Sequence, residues 1–166
     1  MYLPEWRDGL FIGGTEPGTL ITDSKAKVKE MHYNMLFSGP KELEKLLEEF
    51  TEYEFTGGRE GHFIYPSFTT ARFCELIDAV KAYGGFFVYP HPKQLMESDD
   101  PCDYWFCDEI GIEVFYITKA NYDLWVDLLA KGKRVWACAG GDVHREAVDT
   151  ALTTIYAEGH SNDSYL

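Results

Sequence analysis

The chain has 166 residues, 45% of them apolar and 16% aromatic, which excludes a disordered or low-complexity polypeptide and fits one domain with a substantial core. Acidic residues number 28 against 15 basic ones, a formal net charge of −13. A field of that sign repels nucleic acid, so neither DNA nor RNA is an expected partner, and it favours capture of divalent cations.

In chain order, the first strand-like run is LFIGG (10–14), followed by a polar segment, TDSKAKVKE (22–30), that reads as a surface loop. HYNMLF (32–37) is the second run, and a helix is expected from Pro40 to Glu54. Leu43, Leu46, Leu47 and Phe50 repeat there at i, i+3, i+4 and i+7, forming one apolar stripe. A second helix spans Thr69 to Tyr83 and leads into the strand GFFVYP (85–90). An acidic loop, about residues 93 to 108, precedes the strand IEVFYI (112–117). The third helix runs from Asn121, a suitable cap, to Lys131, with Gly132 as its stop. RVWACA (134–139) and LTTIYA (152–157) are the last two strands. Apolar strands alternating with helices indicate an α/β domain with a mostly parallel sheet, a single unit over 1–166.

No apolar run reaches the length of a bilayer, and MYLPEWRDGL lacks a basic segment followed by an apolar one, so the protein is expected to be soluble and cytoplasmic. Cys74 and Cys138 read as small core residues. Cys102 and Cys107 flank DYWF without the spacing of a zinc knuckle or a redox pair.

In α/β folds functional groups gather at the C-terminal ends of strands. Applied here, that rule selects a small set of residues. His91 follows FFVYP directly and stands between Pro90 and Pro92, which restrict its backbone. Asp142 and His144 follow RVWACAGG, and in extended chain positions i and i+2 point to one side. Glu16 follows LFIGGT, whereas His32 opens its strand instead of closing it. Glu113 lies inside an apolar strand and must be paired, exposed or functional. His62 and His160, in glycine-flanked loops, are assigned to the surface. Mixed carboxylate and imidazole donors suit zinc, iron or manganese better than calcium.

The order GTE, HYNMLF, GGFFVYPHP, GIEVFY and GKRVWACAGGDVHR resembles the PHP (polymerase and histidinol phosphatase) superfamily of metal-dependent phosphoesterases over about residues 10 to 148. GGFFVYPHP resembles its strand–HP signature and RVWACAGGDVH its strand–D-x-H signature. The resemblance implies a (β/α)7 PHP-like barrel, here partial, with one to three divalent ions (zinc, manganese or iron) at its mouth. It implies that Glu16 is a bridging carboxylate, that His32 and His91 share an ion with it, and that Asp142 and His144 bind the others and are catalytic. The implied reaction is hydrolysis of a phosphate ester by metal-activated water. Arg145, next to the D-x-H pair, and Lys93, just after His91, are the candidates to hold the phosphate of a small substrate.

The family begins with an H-x-H strand, and no H-x-H occurs in this sequence. The resemblance therefore implies the middle and later part of the domain, with exposed sheet edges and self-association into a homo-oligomer. The alternative is a PHP-like metal-binding or scaffold protein without activity.

Overall fold

The computed structural model describes residues 13–15, 18–23, 30–52, 66–92, 107–114 and 119–140. Eight strands and three helices lie among them: β1 (Gly13–Thr15), β2 (Gly18–Ile21), β3 (Glu30–His32), β4 (Asn34–Phe37), α1 (Pro40–Glu49), β5 (Ser67–Phe68), α2 (Thr70–Ala82), β6 (Phe86–Tyr89), β7 (Ile110–Glu113), α3 (Lys119–Ala130) and β8 (Val135–Cys138).

A five-stranded sheet has the order β1-β4-β6-β7-β8, and a smaller one the order β3-β2-β5. β6, β7 and β8 pair in parallel, while β4 is antiparallel to both β1 and β6. Four of the five strands thus point one way, and β4 alone runs against them. The fold is α/β with a mixed sheet, and the described residues form no closed barrel.

Alternation along the strands sorts the large sheet into two faces. Met35, Phe37, Phe87, Tyr89, Ile110, Ile112 and Val135 are buried on one face. They join Leu46 of α1, Phe73, Leu76, Ile77 and Val80 of α2, and Leu128 of α3 in one core. An aromatic cluster fills its centre, with Tyr33 stacked on Phe87 at 5.2 Å and Phe73 edge-on to both. The other face carries Phe86, Val88, Gly111, Glu113, Trp136 and Cys138. There Trp136 on the outer strand β8 is 48% exposed and meets the Phe86 ring.

Several expected elements differ in detail. HYNMLF is not one strand: His32 pairs with Gly18 in the small sheet, whereas Asn34 pairs with Val88 in the large one. Buried Tyr33 is the pivot between them. β2 and the two-residue β5 are too short and too mixed in polarity to stand out by periodicity. β7 begins and ends earlier than IEVFYI suggested.

α1 starts with Pro40 at its first turn, as its fixed φ favours, but stops at Glu49 instead of Glu54. Phe50 leaves helical geometry at φ −104° and ψ 75° and is fully buried, with the Arg72 guanidinium 3.9 Å above its ring. In α2 the Thr69 hydroxyl accepts from the Arg72 N–H, and Asp23 accepts from both the backbone N–H and the hydroxyl of Thr70. Those bonds, the backbone one first, hold the Asp23 carboxyl below its ordinary value.

Asn121 is not the cap of α3 as expected. It is the third residue of the helix, 1% exposed, and its Oδ1 has no hydrogen-bond partner among the described residues. At the other end the expectation holds. Gly132, at φ +80°, donates to the Leu129 carbonyl and Lys133 to that of Leu128, a paired helix stop that favours glycine.

Arg72 also ties α2 to the end of α1 through Glu52 at 2.8 Å and the Glu49 carbonyl at 3.1 Å. The Arg72 hydrogen bond holds the Glu52 carboxyl below its ordinary 4.5. A depressed carboxyl stabilises the fold above the unfolded value and loses that contribution as pH falls through the folded one. Glu52→Gln is therefore expected to be less stable at pH 7, by up to about 1 kcal/mol for so exposed a pair. Urea titrations should show the difference shrinking below pH 4.5 and vanishing in stronger acid.

Candidate metal site at the strand ends

The direction of β4 decides which residues meet. β1, running with β6, ends at Thr15 opposite Met35, near the start of β4. β4 starts at Asn34 opposite Val88, near the end of β6. β7 and β8 end side by side at Glu113 and Cys138. The ends of β1, β6, β7 and β8 and the start of β4 therefore share one end of the sheet. His32, two residues before β4, and His91, two residues after β6, come together for that reason.

Their rings stand 5.1 Å apart between centroids, edge-on at 71°. That separation lies in the range of an ordinary edge-on ring pair, and two imidazoles that bind one ion at about 2.1 Å per nitrogen also hold their centroids roughly 5 Å apart. His91 has φ +31°, an unusual backbone for a residue other than glycine, and is flanked by the buried Pro92. It is half-buried, as is His32.

Glu113, whose role was open from sequence, is 5% exposed at the end of β7. Its Oε2 accepts the backbone N–H of His91 at 2.5 Å. Its Oε1 lies against Gly140, where an added Cβ would collide with it. The signal in the sequence was an acid in an apolar strand; what it lacked was the partner, which lies 22 residues away across β6 and β7.

Cys138 lies beside Glu113 on β8, and burial pushes its thiol up to about 11. The backbone of Ile112 lowers it and the nearby Glu113 carboxylate raises it, in smaller amounts. Cys107 is also raised, chiefly by burial, despite Lys81 nearby. Both stay protonated near neutrality, a state that suits neither a nucleophile nor a thiolate ligand.

Of the residues expected at the site, the structure brings His32 and His91 together. Glu16, Lys93, Asp142, His144 and Arg145 lie outside the described residues, as do His62, His160 and Cys102. Among the described residues no three histidine, cysteine, aspartate or glutamate side chains form a metal-holding group. No helix there is long and apolar enough to cross a membrane. Comparison with family models, curated proteins and solved structures found no match to the chain.

Proposed function

We propose that the chain is a PHP-like metal-dependent phosphoesterase acting on a small phosphate ester, built on part of a (β/α)7 barrel. The observation that carries the reading is the convergence at one end of the sheet. His32 and His91 face each other there at 5.1 Å. The strand before Glu16 ends at the same end, and so does the strand that leads to Asp142 and His144.

In this reading Glu16, His32 and His91 hold one ion, and Asp142 and His144 hold up to two more. The ions supply Lewis acidity and activated water. The protein's own groups do the rest. His32 and His91 fix a position on the sheet end, and Lys93 and Arg145 bind the phosphate and neutralise charge that develops on it. The net charge of −13 supports retention of cations and opposes binding of nucleic acid.

A second reading is a PHP-like protein that binds an ion without turnover, for which the His32–His91 pair would be enough. Hydrolysis of p-nitrophenyl phosphate after loading with manganese or zinc separates the two. Turnover that a chelator abolishes and an Asp142→Ala/His144→Ala variant lacks supports the enzyme. Metal uptake without turnover of this or other small phosphate esters leaves the binding protein. The reading includes self-association, which the exposure of Trp136 on an outer strand supports and light scattering of the purified chain tests.

A further inference from the structure

β7 lies between β6 and β8, so its end is flanked by the strand that leads to His91 and the strand that leads to Gly140. Glu113 closes β7; its Oε2 accepts the His91 amide N–H, and its Oε1 packs against Gly140. A nearly buried carboxylate is costly unless its oxygens are engaged, and a charge-assisted bond to an amide is among the stronger hydrogen bonds. His91 in turn has the left-handed φ of +31°, a strained backbone for a residue other than glycine unless its surroundings hold it.

We infer that Glu113 is a positioning residue that acts through His91: it holds the His91 backbone in its left-handed turn, so that the imidazole stands edge-on to His32. A side chain at 140 would displace the carboxylate, while φ there lies outside the left-handed range, so close approach alone explains the glycine. This inference rests on the metal site proposed above for its purpose, but its geometry is independent of any ion.

The test uses the full chain with Glu113→Ala, Glu113→Gln and Gly140→Ala, read by the nuclear Overhauser contact between the two histidine rings and by zinc titration. Glu113→Ala is expected to lose the ring contact and to weaken zinc binding tenfold or more, on the scale of about 10–100-fold for partners that orient ligands. Glu113→Gln retains an acceptor oxygen for the His91 amide and should keep the rings together. Gly140→Ala should part them. A purely structural role would lower the melting temperature and leave the ring contact in place. Glu113→Ala with the ring contact and zinc affinity of the wild type overturns the inference. If Glu113→Ala fails to fold, Gly140→Ala decides: rings still in contact overturn it. If the wild type takes up no zinc, the metal reading falls and the ring contact alone decides the positioning role.

Discussion

Phe87→Ala is expected to lower the unfolding free energy by about 3–5 kcal/mol, the range for deleting a buried aromatic ring. Phe87 is fully buried at the middle of β6, stacked on Tyr33 and edge-on to Phe73 and to Tyr89 at 5.1 Å. Rings held by α2, by β6 and by the junction of β3 and β4 cannot easily close on the space left behind, so the cavity term adds to the lost burial. Against a total stability of about 5–15 kcal/mol such a loss leaves the fold marginal or unfolded. Phe86, one residue earlier on the half-open face, gives the control. Its truncation should cost well under half as much, because it gives up less burial. Urea unfolding of both variants checks the pair, and equal losses would contradict the two-faced sheet described above.

His91→Gly is expected to behave in the opposite way. Glycine adopts φ +31° freely, so the unfolding free energy should stay within about 1 kcal/mol of the wild type. Zinc or manganese affinity should fall by more than roughly a hundredfold, since residues that merely orient ligands already account for 10–100-fold. Stability retained while binding is lost marks a residue kept for a ligand and not for the fold. Titration calorimetry and urea unfolding on one preparation read both quantities. A variant that binds metal as the wild type does would remove His91 from the site.

The α/β class and the helices were legible because their signals are local and periodic. Leu43 and Leu46 of α1, and Gly132 after α3, carry their own instructions. What the sequence hid depends on tertiary pairing. Nothing in HYNMLF says that Tyr33 is a pivot between two sheets, or that β4 runs against its neighbours. That reversal is why His32, which reads as a residue at the wrong end of its strand, stands beside His91. Asn121 looks like a cap by type but is the third residue of α3 and buried. Glu113 was visible as an anomaly, and its meaning waited on two strands that only the fold places on either side of it.

The most direct test of the metal site is elemental analysis of the purified chain, alone and after incubation with zinc, manganese or iron(II) followed by desalting. Retained zinc, manganese or iron is expected in the wild type, at about one to three ions per chain. A lower content is expected in His91→Gly and in Asp142→Ala/His144→Ala, both still folded. A wild-type chain that folds and retains none of these metals after reconstitution would contradict the metal site. The His32–His91 pair would then be a feature of the sheet end with no ion to hold.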